Sequence, residues 1–238
     1  MSAALHVGVV TFPGSNGDHD ALSSLEQDLG YDVRAIDYRE SELGEIDAVV
    51  LPGGFSYGDA LRCGAIARFS PIMGAVRSFA HAGGAVLGIC NGFQVLCEAH
   101  LLPGALLRNA SLRFHCFAVQ VVIEQTDTAW TKGIVANAVL TLPVAHGEGA
   151  YYIDAEGLET LEANRQIVAR YCDLDGNVVA AANRNGSVAN IAAICNAGRN
   201  VVGMMPHPER ATNALVGGTD GLQILQSLMS ESLLTNAP

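Results

Sequence analysis

The first half of this chain alternates between short strand-like segments and segments with helical periodicity, and this pattern restricts the fold more than any other feature. The strand-like segments are HVGVVTF (6–12), DVRAID (32–37), IDAVVL (46–51) and GAVLGI (84–89), and helical periodicity is found over residues 21–30, 60–80 and 91–100. Strands that alternate with helices form parallel β-α units. The pattern therefore predicts an α/β fold with a central, mostly parallel sheet flanked by helices.

The second half of the chain has a different pattern. FAVQVVIE (117–124) alternates like a strand, VLTLPV (139–144) follows it, and residues 150–195 hold short strand-like segments separated by turns. VVGMM (201–205) is predicted to rejoin the sheet, and residues 221–234 are predicted to close the chain as an amphipathic helix. There is no internal repeat or linker, so we expect a single domain over residues 1–238.

Composition excludes several classes of protein. Half of the 238 residues are hydrophobic and 16% are charged, which allows a large core. The net charge is −11, with twelve arginines, one lysine (Lys132) and no basic run. Nucleic acid and anionic membrane surfaces are therefore not expected as partners.

The N-terminus and the cysteines indicate where such a chain works. The first residues lack the positive region of a signal peptide, and no apolar run approaches the ~20 residues of a membrane span. The six cysteines include no C-x-x-C pair, so free thiols in a reducing compartment are expected. Together these features predict a cytoplasmic protein.

Three polar clusters follow strand-like segments. They are LPGGFSYGD (51–59), LGICNGFQ (87–94) and MMPHPER (204–210). Ligand sites in open α/β sheets gather at the carboxyl ends of the strands. We therefore expect the three clusters to meet at one edge of the sheet.

Cys90 lies between Gly88 and Gly92, after a strand-like segment and before a helical one. This G-x-C-x-G arrangement has the form of a nucleophile elbow, in which flanking glycines leave room for a sharp, strained turn. A buried core thiol is the alternative, because this is the usual position of a free cysteine. Cys97 has no such glycine frame, so it and the other four cysteines are expected in the core.

A thiol nucleophile needs a base, and the base needs a partner that orients it. His207 follows a strand-like segment and lies between two prolines, which restrict the backbone there. Glu209 is two residues further on and points to the same side of an extended segment. A surface histidine in a proline-rich loop is the alternative, and the cysteine elbow makes the catalytic interpretation the better one.

Gly53 and Gly54 follow a strand-like segment and could present backbone N–H groups as an oxyanion hole, with the Asn91 N–H as a second donor. A tight turn explains the two glycines equally well. HGEG (146–149) suggests a metal site, but no further ligand at standard spacing joins it, so no metal is expected. Neither a Walker A nor a G-x-G-x-x-G motif is present.

Taken together, LPGGFSYGD, GICNGFQ, PVAHGEGAYY and MMPHPER resemble class I glutamine amidotransferases. More narrowly, they are similar to the family of glutaminase subunits of phosphoribosylformylglycinamidine synthase. The resemblance runs from about residue 6 to about residue 234. It implies a flavodoxin-like fold with added β-rich segments.

The resemblance also implies a catalytic triad of Cys90, His207 and Glu209 that hydrolyses glutamine to glutamate and ammonia through a cysteine thioester. Backbone N–H groups near Gly54 and of Asn91 would hold the oxyanion. Gln94 matches the family glutamine at this place and would shape the substrate pocket, so it completes the predicted set of site residues.

Family membership implies partners as well. Ammonia would pass to a large synthetase subunit, which uses ATP and Mg²⁺, while this chain needs no cofactor of its own. A small bridging subunit would help assembly, and residues 109–114 and 145–149 are candidate contacts. Three alternatives remain: an amidotransferase of another pathway, a DJ-1/PfpI-like cysteine hydrolase, and a non-catalytic subunit. The histidine-proline-glutamate sequence argues against the second, and the retained Cys90 and His207 argue against the third.

Overall fold

The computed structural model describes residues 5–229. Its strands are β1 His6–Thr11, β2 Asp32–Asp37, β3 Ala48–Leu51, β4 Ala85–Ile89, β5 Ala105–Leu107, β6 His115–Ile123, β7 Val139–His146, β8 Ala150–Tyr152, β9 Ile167–Cys172, β10 Ile191–Cys195 and β11 Val201–Met204. Nine of them form one sheet in the order β2-β1-β3-β4-β11-β10-β9-β6-β7, and β5 pairs with β8.

The first five strands in this order run parallel to one another. The order 2-1-3-4 followed by one more parallel strand is that of flavodoxin-like folds, with β11 in the fifth position. β3 and β4 are buried along their whole length, as expected for strands covered on both faces. The predicted parallel α/β fold is confirmed.

The remaining pairs are antiparallel, from β11 through β10, β9 and β6 to β7. Because the direction reverses at each of these steps, only β10 and β6 run against the direction of β1. The sheet is therefore mostly parallel, as predicted. β11 rejoins it beside β4, in the register Val201 opposite Val86.

The helices are α1 Asp18–Ser23, α2 Ile72–His81, α3 Asn91–Glu98, α4 Ala155–Ala163 and α5 Gly221–Leu225. A π-helical turn, Ser24–Asp28, continues α1, and Gly30 ends this segment with φ +71°. The buried residues of α2, such as Met73 and Val76, recur at helical spacing.

The observed helices differ from the predicted ones in three places. Residues 60–80, which were expected to have helical content, form a 3₁₀ turn at Ala67–Phe69 and then α2, which begins only at Ile72 because Pro71 disfavours helical backbone in the residue before it. α4 was not predicted, because only Leu161 of that helix is fully buried. The predicted helix 221–234 is α5 followed by a 3₁₀ turn, and its residues from 230 on lie outside the described residues.

Among residues 5–229, every helix is too short or too polar to cross a membrane.

Candidate active site

Cys90 occupies the junction between β4 and α3. The strand ends at Ile89 and the helix begins at Asn91, so the whole turn is made by one residue, whose φ is +49° and ψ −103°. A non-glycine residue in such a conformation is strained, and residues of this kind cluster at functional sites. The side chain is 5% exposed, and its Sγ lies 3.7 Å from the carbonyl oxygen of Ala145.

The glycines on either side of Cys90 permit close packing of the strand against the helix. A Cβ at Gly92 would overlap the carbonyl oxygen of Leu51, and a Cβ at Gly88 would lie 2.7 Å from the backbone of Gly92. The elbow therefore requires glycine at both positions.

His207 follows β11, the neighbour of β4 in the sheet. Its Nδ1 lies 2.6 Å from Oε1 of Glu209, and both side chains are buried. Burial alone would lower the pKa of His207, but the Glu209 carboxylate and the neighbouring Cys90 side chain raise it to about 10. The surroundings therefore favour the charged imidazolium form of His207.

The Nε2 atom of His207 is buried and has no hydrogen-bond partner within the described part of the chain. Oε2 of Glu209 is also buried and has no hydrogen-bond partner among the described residues. Orphaned buried polar atoms are rare and call for an explanation. An imidazole nitrogen left free beside a cysteine is available to accept and return a proton.

Gly53 and Gly54 follow β3, which pairs with β4 on the side away from β11. A Cβ at Gly53 would lie 2.7 Å from Cε1 of His207 and 3.5 Å from Cβ of Cys90. Gly54 has φ +149° and forms a bridge to Ser15. The three polar clusters thus meet at the carboxyl ends of β3, β4 and β11.

Asn91 and Gln94 make a chain of side-chain hydrogen bonds along the start of α3. Asn91 Oδ1 accepts from the Ser56 N–H at 3.2 Å, and Asn91 Nδ2 donates to Gln94 Oε1 at 2.8 Å. Gln94 Nε2 donates to the carbonyl oxygen of Glu148 at 2.6 Å. Gln94 therefore joins the elbow helix to the segment that follows β7.

A cavity of about 190 Å³ opens in front of Cys90. Pockets for drug-sized ligands are larger, so this one suits a small molecule. Its lining includes Cys90, Gln94 and Gly54, together with charged side chains that the sequence analysis did not select: Asp59, Arg108, Arg113 and Glu148. Asp59 carried a signal, since it closes the quoted cluster LPGGFSYGD.

Asn109, which the sequence analysis did not select, is the centre of a buried hydrogen-bond network. It is completely buried, and its Oδ1 lies 3.0 Å from both the Gly149 N–H and Nδ1 of His146. Its Nδ2 donates to the carbonyl oxygens of Arg113 and His146. Asn109 and His146 thus hold the segment 145–149 from inside, so their side chains are not surface contacts.

His146 belongs to the HGEG segment, which the sequence analysis weighed as a metal site. Burial, together with the charges of His115 and His207, lowers the pKa of His146 to about 3. Residues 5–229 contain no group of three or more His, Cys, Asp or Glu side chains that could hold a metal ion.

All six cysteines are free, as predicted. The core position predicted for the five other than Cys90 is confirmed for Cys97, Cys172 and Cys195, while Cys63 is buried but lines the cavity. The prediction is wrong for Cys116, which is exposed. Cys116 follows the buried His115 on β6, so strand alternation turns it to the other face.

Comparisons with known proteins agree with this geometry. Residues 4–219 match the family model described as CobB/CobQ-like glutamine amidotransferase domain. Phosphoribosylformylglycinamidine synthase subunit PurQ of Thermomicrobium roseum is 58% identical, covering 96% of this chain and 97% of the relative. Its counterpart from Thermosynechococcus vestitus is 53% identical, covering 98% and 99%.

Among solved structures, a chain of the PurLQS structure from Thermotoga maritima superposes with a TM-score of 0.84. It is 38% identical, and the match covers 96% of this chain and 99% of that one. The strained cysteine elbow, the buried histidine–glutamate pair and these matches agree. This chain belongs to the glutamine amidotransferases, and among them to the PurQ family of phosphoribosylformylglycinamidine synthase subunits.

Proposed function

We propose that this chain is the glutaminase subunit of phosphoribosylformylglycinamidine synthase in purine biosynthesis. The observation that carries the proposal is the position of Cys90, on a strained elbow beside the buried His207–Glu209 pair. The relatives' names, which specify this synthase, support the pathway. They favour it over another amidotransferase pathway or a DJ-1/PfpI-like hydrolase.

In the first half of the reaction, the proton of the Cys90 thiol passes to Nε2 of His207, which forms the imidazolium, and Sγ then attacks the side-chain amide carbon of glutamine. The amide oxygen becomes an oxyanion, which the N–H groups of Gly54 and Asn91 stabilise, with Gly53 leaving room for the imidazole. When the intermediate collapses, His207 returns the proton to the leaving nitrogen. Ammonia departs and a γ-glutamyl thioester remains on Cys90.

In the second half, His207 takes a proton from water, and the resulting hydroxide attacks the thioester carbon. Collapse breaks the bond between carbon and Sγ, glutamate leaves, and the proton returns to the thiolate. Glu209 keeps the imidazole in one orientation and stabilises its charged form. Gln94 acts as a positioning residue, because it ties the elbow helix to the segment above the cavity.

We further propose that ammonia passes to a large synthetase subunit, which uses ATP and Mg²⁺ to make formylglycinamidine ribonucleotide, and that a small bridging subunit assists assembly. The chain itself would use no cofactor or metal and act as one domain in the cytoplasm. The PurLQS title of the T. maritima structure supports an assembly of this kind.

The test compares glutamine with free ammonia as nitrogen source for the co-purified complex, using native protein and Cys90→Ala. We expect the variant to lose glutamine-dependent synthesis and keep ammonia-dependent synthesis. Retention of the glutamine-dependent reaction would refute the role of Cys90. Failure to co-purify with a synthetase would refute the assignment to this assembly.

A further inference from the structure

The cavity in front of Cys90 contains more charge than hydrolysis of an amide requires. Carboxylates of Asp59 and Glu148 line it, and so do the guanidinium groups of Arg108 and Arg113. The reacting amide of glutamine is neutral, so the triad and the oxyanion donors need none of these four groups. Two acids and two bases in so small a space match a ligand that carries both charges.

Asp59 stands out because its carboxylate has no cationic partner within 4 Å anywhere in residues 5–229. By contrast, Glu148 lies 3.7 Å from Nε of Arg108. The polar neighbours of Asp59 are the Asn91 amide at 3.5 Å and the Cys63 thiol. A half-buried carboxylate without a counter-charge is costly unless a cation binds there.

Neighbouring groups make the surroundings of Asp59 more negative. Burial and the nearby Glu148 carboxylate raise the pKa of Asp59, and the hydrogen bond from Cys63 lowers it again. Burial, with Glu148 and Asp59, raises the pKa of the Cys63 thiol, which stays neutral. Two carboxylates around a neutral thiol thus form a negative end of the cavity.

The backbone directs Asp59 into this position. Tyr57, Gly58 and Asp59 have consecutive positive φ values of 55°, 64° and 53°. Two of these residues are not glycine, so the turn is strained and must be held by its surroundings. It follows β3 directly after the Gly53–Gly54 pair, and Asp59 is therefore anchored to the same strand end as the oxyanion donors.

We propose that Asp59 binds the α-ammonium group of the substrate and makes the site selective for glutamine over amides that lack this group, an inference that rests on the proposed function. The α-nitrogen and the amide carbon of glutamine are four bonds apart, roughly 5 Å. A single small cavity therefore accommodates both ends. Arg108 and Arg113 supply the positive charge that complements the α-carboxylate.

The proposal is tested with two substrates, glutamine and glutaramate, which has the same amide and carboxylate but no α-ammonium group. The native complex should show a kcat/KM for glutamine at least ~10-fold above that for glutaramate, from the strength of a charged hydrogen bond. In Asp59→Asn, kcat/KM for glutamine should fall by ~10- to 100-fold, chiefly through KM. For glutaramate it should change by less than about threefold.

Asp37→Asn is the matched control. Asp37 lies on the edge strand β2, is paired with Arg39 and does not line the cavity. Its substitution should therefore leave the ratio of kcat/KM for glutamine to kcat/KM for glutaramate unchanged. An equal loss on both substrates in Asp59→Asn would overturn the proposal, because it would show a structural role. If kcat/KM of the native complex were about the same for glutamine and glutaramate, the proposal would also be overturned, even if Asp59→Asn failed to fold.

The outcomes also separate this inference from the proposed function. If the native complex hydrolyses both amides equally well, the glutaminase function stands and the ammonium subsite is refuted. If the native complex hydrolyses neither amide, the function is refuted, and the subsite with it.

Discussion

Gly53 lies directly against the imidazole of His207, so closely that a single methyl group at residue 53 would come within 2.7 Å of Cε1. Real Cβ atoms are not found this close to other heavy atoms, so either the ring or the backbone would have to move. Gly53 is thus required by the position of the His207 imidazole and not by backbone conformation.

Substitution of Gly53 by alanine should therefore impair catalysis more than folding. The imidazole would be displaced by a few tenths of an ångström or more, and we expect kcat to fall ~100-fold. Gly74→Ala is the control, since nothing lies within 4 Å of a Cβ at that position on α2. Steady-state kinetics and thermal unfolding of both variants test this, and native kcat in Gly53→Ala would contradict it.

Glu209→Gln should change both the rate and its pH dependence. The carboxylate is the first of the influences that raise the pKa of His207 to about 10 against the effect of burial. Loss of its charge lowers that pKa, so the alkaline limb of the kcat profile should move to lower pH. We expect kcat to fall by about 10⁴-fold, as when an orienting carboxylate is removed from a triad.

The matched variant is Glu209→Asp, which keeps the charge on a shorter side chain. Its alkaline limb should stay closer to that of the native protein even though its rate is reduced. If the alkaline limb moved equally in Glu209→Gln and Glu209→Asp, the position of the side chain at residue 209, not its charge, would determine the pH of that limb.

Buried, neutral His146 should make the protein sensitive to acid. Its pKa is about 3 in the folded state, against 6.5 for an ordinary histidine. A lowered histidine pKa gives a stabilisation that is complete above pH 6.5 and is lost as the pH falls towards 3. Over this window His146 should contribute a slope of about 1.4 kcal/mol per pH unit to the free energy of unfolding.

Urea unfolding between pH 7 and 4 measures this slope. His146→Asn removes the titrating group, so its stability should vary less with pH than that of the native protein. His81→Asn, at the exposed end of α2, should keep the native slope. The assignment fails if His146→Asn and the native protein lose stability in parallel.

Asn109→Ala should destabilise the protein and disturb the cavity. The substitution leaves the Gly149 N–H and the carbonyl oxygens of Arg113 and His146 without their buried partner. We expect a loss of roughly 3 kcal/mol in the free energy of unfolding. Exposed Asn164 gives the control variant Asn164→Ala, and similar losses in the two variants would show that the buried network adds nothing.

The parallel half of the fold could be predicted from sequence because its information is local. β1, β3 and β4 are short apolar runs bounded by turn residues, β2 is a more polar edge strand, and the connection rules then determine how the strands are arranged. α4 escaped prediction because its apolar face is narrow, although Asp154 caps it by accepting from the Gly157 N–H. The pairing of β9 with both β6 and β10 is non-local and has no signal within the strands.

The candidate site divides in the same way. Cys90 could be selected because the glycines beside it indicate a sharp, strained turn. His207 could be selected because the prolines beside it restrict the backbone. Asp59 and Glu148 lie within motifs that the sequence analysis quoted, but their place in the cavity, like the buried position of Asn109, depends on which loops meet above the sheet. Cys116 was misplaced because a cysteine's preference for the core says nothing about which face of β6 it occupies.

Cys90 and His207 follow adjacent, hydrogen-bonded parallel strands, β4 and β11. The ends of these two strands are about 4.8 Å apart, and the backbone N–H of His207 also donates to the carbonyl oxygen of Pro143 on β7, so the sheet holds both residues. Cys90 and His207 thus lie at the ends of sheet strands, whereas Asp59, Arg108 and Arg113 lie on the loops around the cavity. A protein engineer could therefore rebuild residues 59–63 or 108–113 to change which amide is admitted without altering the strands that carry Cys90 and His207.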